Sequence, residues 1–310
     1  MPEVARKQHP PLIQFEVMPA SLIINADDFG LTPGINRSII ELHRGGALSS
    51  ATLMATGPAF DDAAALARAN PTIGVGCHIV LTDGTPASDP VSIPSLLGPD
   101  KKTFRPSLLD FIRALLRGQI REEEIERETL AQIQRLQHAG ITITHVDTHK
   151  HTHLFPAVTR PLLRALERTS IPAIRNPFEP AFTHRITHAG FTRYLQISLL
   201  NSLRPQFQKH PQIAEGRILT TDGTVGVSAT GNLNQKTLTE ILTALPPHGT
   251  FELVCHPGNK NDVDLDRIIT RLRITRVIEK RALHAVIPTA LAQPNSPTLI
   301  HYGSLQPTST

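Results

Sequence analysis

A chain of 310 residues with 40% apolar and 19% charged side chains holds enough of both for a sizeable core under a solvated surface, which excludes a disordered polymer. The net charge of +4 includes no contiguous basic run and only 4% of residues are aromatic, so no nucleic-acid partner is expected. No window reaches the roughly 18 apolar residues of a membrane span.

The first twenty residues lack an apolar signal region, and Cys77 and Cys255 are too few for a disulfide framework. A loosely ordered leader over 1–20, a cytoplasmic location and a frayed tail over 306–310 are expected. The run SLIINA (21–26) is short, apolar and β-branched, a buried strand that ends at Asp27-Asp28. Ile35, Ile39, Ile40 and Leu42 then mark a helix over 35–45, stopped by Gly45-Gly46. A strand near 47–55, a helix over 59–70 and a strand over 72–80 follow. Residues 83–104 are rich in Pro, Gly, Asp and Ser, a long loop placed to overhang a site.

The segment QIREEEIERETLAQIQRLQHAG is the clearest helix. Ile125, Thr129, Ile133 and Leu136 share a face, acids fill the first turns and Gly140 ends it. A strand over 141–147 runs into a histidine cluster, followed by a helix at 157–169 and a strand at 172–176. Residues 177–212 give no clean strand–helix pair and read as an insertion that shapes a cleft. Strands at 216–220, 250–255 and 298–302 and helices at 233–244 and 263–282 complete the pattern. Some seven alternating units predict an α/β fold, an irregular (β/α) barrel with a doubly wound sheet as the alternative. Either one gathers ligands at the C-terminal ends of its strands.

Those ends carry metal-competent residues: Asp27-Asp28, then Cys77-His78, then HVDTHKHTH (145–153) with Asp147, His149, His151 and His153, then Cys255-His256. One carboxylate and two imidazoles make a three-ligand site of the kind hydrolytic metals use. A neighbouring carboxylate would accept a proton from water, and a further histidine would give one to a leaving group. Each element also has a plain structural reading. Asp27-Asp28 could cap the next helix, His78 could be a bonded core histidine, and His256-Pro257-Gly258 could be simple loop. On an extended chain His149, His151 and His153 point one way, and a surface chelating tract is the alternative. Asp28-Phe29-Gly30 lacks the accompanying kinase motifs, and the HxD of His145–Asp147 belongs on an all-β scaffold. The cysteines would face away from the histidines they precede, into the layer between barrel and helices.

IINADDFGLTPGIN, VGCHIVLTDGTP, THVDTHKHTHLFP, IRNP and LVCHPG, in that order, resemble the successive motifs of the YdjC-like (ChbG/HpnK-type) carbohydrate deacetylases. The likeness runs over 21–305 and includes the closing LIHYGSL. It implies an irregular barrel that removes an N-acetyl group from an amino sugar with one divalent ion, Mg or Zn. Carried onto this chain, the metal ligands are Asp28, His78 and His149, Asp27 is the general base and His256 the general acid. Arg175, His151, His153 and Asp147 would orient substrate or catalytic groups. The substrate class spans chitooligosaccharides and hopanoid-type glycolipids, and DTHKHTH departs from the asparagine-bearing form associated with the latter. A different barrel metal hydrolase, or a non-catalytic metal- or sugar-binding module, are the rival readings. A homodimer is compatible with the apolar helix positions.

Overall fold

The computed structural model describes residues 19–186, 200–268 and 273–306. The leader up to residue 18 and the last four residues lie outside that range. Seven strands form one parallel sheet: β1 (Ser21–Phe29), β2 (Ser50–Leu53), β3 (Gly74–Ile79), β4 (Ile143–Thr148), β5 (Gly223–Val225), β6 (Thr250–Cys255) and β7 (Thr298–Leu299). Their order is β4-β3-β2-β1-β6-β5, with β7 on the first residues of β1. The sheet curls, because isolated parallel bridges Val146–Ile174 and Ala173–Leu219 lead from its β4 edge toward the chain that enters β5. The expected strands at 172–176 and 216–220 are reduced to these single bridges. This is the irregular closure of the barrel.

Ten helices are described: α1 (Pro33–Arg44), α2 (Phe60–Arg68), α3 (Leu108–Leu116), α4 (Glu122–His138), α5 (Pro156–Thr169), α6 (Arg204–Gln208), α7 (Pro211–Ala214), α8 (Gln235–Thr243), α9 (Val263–Ile268) and α10 (Arg273–Leu291). The helix expected over 263–282 is described over Val263–Ile268 and from Arg273 onward, and residues 269–272 lie outside the described range. Helix α3 and strand β5 have no counterpart in the sequence reading. Part of the unresolved pattern at 177–212 falls on residues 187–199, also outside the description.

The two faces of the strands divide the protein into unlike halves. Outward positions such as Leu22, Ile24, Leu53, Cys77, Val146, Leu253 and Cys255 join the large apolar core with the helices. Both cysteines are buried there and unpaired, as expected. The barrel interior is polar instead. Asn25, Asp27, Thr52, His78, His145, Asp147, Arg175, Thr224 and Glu252 are all buried. Ile23, Ala173 and Tyr302 form a small apolar group toward the strand N-termini, with Leu219, Ile300 and Leu305 packed against it.

Two irregularities aim the site. The β1–β2 register shifts between Ala26 and Phe29, and Asp28 within that bulge has φ 64°. A regular strand would send Asp27 and Asp28 to opposite faces; the bulge and the left-handed residue turn both to the same end of the barrel. The aspartates do not cap α1. Thr32 does, its Oγ1 accepting from Ile35 N at 3.1 Å, with Pro33 in the first turn. The long loop after β3 is tied down by α4, whose buried Glu128 accepts from the amides of Ala87 and Ser88 and whose Glu124 accepts from Ser95.

Gly76 lies inside the barrel against the His145 ring, where an added Cβ would sit 2.4 Å from His145 Cε1. Gly76→Ala should lower stability by about 1–3 kcal/mol in chemical denaturation, the cost of overpacking. Adding His145→Ala should recover part of that loss.

Candidate functional site

Three donor atoms meet above the barrel's polar interior. Asp28 Oδ1 is 3.6 Å from His78 Nε2 and 3.3 Å from His149 Nδ1, and the two ring nitrogens are 3.3 Å apart. Donors about 2.0–2.1 Å from a tetrahedral ion lie about 3.3–3.4 Å from one another, so this triangle has the size such an ion requires. Asp28 Oδ1 is buried and has no hydrogen-bond partner, which is costly unless something else satisfies it. The other oxygen, Oδ2, is bonded by Arg276 Nη2, which leaves Oδ1 as the available ligand atom. Burial pushes the Asp28 carboxyl up, but Arg276 and the two histidines outweigh it and hold the group ionised.

A second set, Asp27, His78 and Asp147, also lies close enough to hold an ion. It fits poorly, because Arg175 already occupies it. Arg175 donates to both oxygens of Asp27 at 2.6 and 2.9 Å, to Glu252 at 2.6 and 2.9 Å, and pairs with Asp147. His78 spans the two sets. Its Nδ1 is 2.8 Å from Asp147 Oδ1 while Nε2 faces Asp28, the carboxylate–histidine arrangement that presents one nitrogen as a ligand. Burial opposes the charged imidazole, yet Asp147, Asp27 and Asp28 together raise His78 to about 9.

Asp27 stands beside the triangle. Burial pushes its carboxyl up, but Arg175 dominates, with His78 and His256 adding to it, and the group stays far below the usual carboxylate range. His256 Nε2 is 3.9 Å from Asp27 Oδ2, and its Nδ1 is 3.9 Å from Glu279 Oε2. Glu279 also accepts from the His256 backbone N–H at 2.6 Å. The structure thus brings together Asp27, Asp28, His78, His149, Asp147, Arg175 and His256.

The extended-chain expectation for His149, His151 and His153 does not hold. Residues 149–154 form a 3₁₀ turn in which Lys150 and His151 have φ 58° and 52°. Only His149 reaches the triangle. His153 turns into the protein and meets Thr148 Oγ1 at 2.6 Å through Nδ1. His151 lies beside it, ring centroids 6.2 Å apart. Burial and the charge of Arg175 push His151 down to about 3, and burial with His151 and Arg175 keeps His153 well below its ordinary value.

Arg276, Glu279 and Glu252 were not singled out from sequence. The first two sit three residues apart on α10 and reach Asp28 and His256 from one helix face. Buried charges on an otherwise amphipathic helix are the signal, visible only once the helix phase is known. Glu252 alternates with Leu253 in β6 and faces inward as the strand period requires.

The YdjC-like protein family model matches residues 21–286. A carbohydrate deacetylase of Brevibacillus brevis is 43% identical over 157 residues, 51% of this chain and 59% of that protein. One from Geobacillus stearothermophilus is 40% identical over 169 residues, 54% of this chain and 64% of that protein. The matched stretches thus span about 60% of these curated relatives' length. Among solved structures, an Enterococcus faecalis V583 protein provisionally described as a cellobiose-phosphate cleavage protein shares the fold. Its TM-score is 0.71 at 24% identity, over 92% of this chain and 98% of the other.

Arg175 is the only cation in contact with three buried carboxylates among the described residues. Arg175→Leu should cost about 3–5 kcal/mol at neutral pH, as expected for unpaired buried charge. The deficit should shrink as pH falls toward 4. The variant's unpaired carboxylates are relieved by protonation in that direction, while the wild type keeps the contribution of its depressed Asp27 until pH falls below about 4. Denaturation midpoints measured from pH 4 to 8 check this.

Proposed function

The chain belongs to the YdjC-like family, and on that premise we propose that it is a metal-dependent hydrolase that removes the N-acetyl group of an amino sugar and releases acetate. The observation that carries the reading is the donor triangle of Asp28, His78 and His149 beside an ionised carboxylate, Asp27, that is not one of its corners. Names of relatives such as the Brevibacillus brevis carbohydrate deacetylase support the reaction class. The proposed domain covers 21–305, flanked by a leader over 1–20 and a tail over 306–310. Two buried free thiols accord with a cytoplasmic setting.

A divalent ion held by the three residues would polarise the acetamide carbonyl and acidify a water. The donor set of one carboxylate and two imidazoles suits several metals, with Mg and Zn the proposed ones. Asp27 is kept as the carboxylate by Arg175, so it is in the form that accepts the proton of the attacking water. His256, across from Asp27, donates a proton to the nitrogen as the C–N bond breaks. The products are acetate and a free amino sugar. Asp147 orients His78, and Arg276 anchors the second oxygen of Asp28. His151 and His153, kept neutral by burial, would support the turn that presents His149, with His153 held by Thr148. An N-acetylglucosamine-containing oligosaccharide or glycolipid is the proposed substrate.

Asp27→Asn should abolish acetate release from N-acetylglucosamine compounds while one divalent ion per chain stays bound. Asp28→Ala, His78→Ala and His149→Ala should each lose the ion. Arg276→Met should weaken ion binding by about 10–100-fold, the usual effect of removing a group that orients a ligand. Metal analysis and an acetate assay over mono-, di- and oligosaccharides read all of these. No acetate with Zn, Mg, Mn, Co or Ni supplied would sink the deacetylase reading. Retained ion and sugar binding without turnover in the wild type would favour a binding module.

A further inference from the structure

Helix α3 is apolar on the side that faces water. Phe111 and Ala114 hold it to the protein. On its outer side Leu109, Ile112 and Leu116 recur at i, i+3 and i+7, and Leu109 and Leu116 are 54% and 76% exposed. Arg113 and Arg117 lie one step round the helix from that stripe, and both are exposed. Residues 101–121 contain six basic side chains (Lys101, Lys102, Arg105, Arg113, Arg117 and Arg121) and one acidic one, Asp110. This segment therefore carries more positive than negative charge, with Asp100 and Glu122–Glu124 at its borders. Arg113 pairs with Asp110 at 3.4 Å and Arg121 with Glu124 at 3.7 Å, and Lys102 lies beside Asp100, while Lys101 and Arg117 form no ion pair among the described residues.

We propose that this face docks on an anionic bilayer surface, with the leucine stripe entering the headgroup boundary and the basic groups meeting lipid phosphates. A leucine stripe flanked by arginines is the chemistry of a helix that lies in the plane of a membrane. No helix among the described residues is long and apolar enough to cross one. A second copy of the chain fits less well. Twofold pairing through the same face would set one copy's basic cluster against the other's. A nucleic acid would use the cations and leave the leucines in water.

The surface begins at the end of the barrel that carries the candidate site. Asp83, just beyond β3, donates its backbone N–H to Arg105 O at 3.1 Å, two residues before the Ser107 cap of α3. Lys150, in the histidine turn, pairs with the Asp83 carboxylate. Docking would therefore hold the rim of the site near the membrane, and the inference stands whether or not the deacetylase reading does.

Co-sedimentation of the full-length protein with phosphatidylglycerol or phosphatidylcholine vesicles tests it. Binding should be at least about tenfold stronger to the anionic vesicles at about 0.1 M salt, and should weaken as salt rises. Leu109→Ser with Leu116→Ser should reduce it by about tenfold or more, since apolar burial drives insertion. Arg113→Gln with Arg117→Gln should reduce the anionic preference. Thermal melting of both variants should match the wild type, because these side chains are exposed. Absence of anionic-vesicle binding would overturn the proposal. So would binding indifferent to the leucines, or a concentration-dependent dimer that the leucine variant abolishes.

Discussion

One guanidinium organises the interior of this barrel. Arg175, fully buried, is forked between Asp27 and Glu252 and pairs with Asp147. Three carboxylates in a closed space would repel one another and take up protons. Around Arg175 their fates diverge. Asp27 is driven far down, whereas burial outweighs Arg175 at Glu252 and raises it, with the Tyr302 hydroxyl donating to its Oε2. Asp147 is left to hold His78. The same fork thus fixes the charge of the candidate base and the orientation of one candidate ligand. A lysine could not do this, because it offers a point charge where a planar fork is needed.

The rim above is positioned from outside the barrel. Helix α10 sends Arg276 to Asp28 and Glu279 to the backbone of His256, so one helix face positions a candidate ligand and the proposed acid together. The loop after His256 is strapped to the start of α1, where Asn259 donates to Gly34 O and Thr32 donates to Asp262. Gly34 is required there, since a Cβ would fall 2.3 Å from Asp262 Oδ2. The site is an assembly of strand ends whose spacing is fixed by contacts between residues more than two hundred positions apart.

Much of this was legible in the sequence, and the reason is local. Buried parallel strands write short apolar runs, and polar residues at their ends stand out, which is how Asp28, His78, His149 and His256 were found. The resemblance then separated base from ligand, which spacing alone could not. Three things were hidden. The bulge at Asp27-Asp28 depends on pairing with β2, so alternation alone would have split the two aspartates. The turn at 149–154 stands in place of an extended chain because two residues adopt left-handed backbone, and it sends only His149 toward the triangle. Helix α3 was missed because LLDFIRALL is apolar on its solvent face as well as its inner one, so it shows no polar side to mark it as a surface helix.

The central claim is that the ion belongs to Asp28, His78 and His149 and that Arg175 excludes it from the deeper set of Asp27, His78 and Asp147. Anomalous diffraction from crystals of the protein soaked in zinc measures this directly. The account predicts one peak, about 2.0–2.2 Å from Asp28 Oδ1, His78 Nε2 and His149 Nδ1. A peak on the Nδ1 side of His78, among Asp27 and Asp147 with Arg175 displaced, would contradict it.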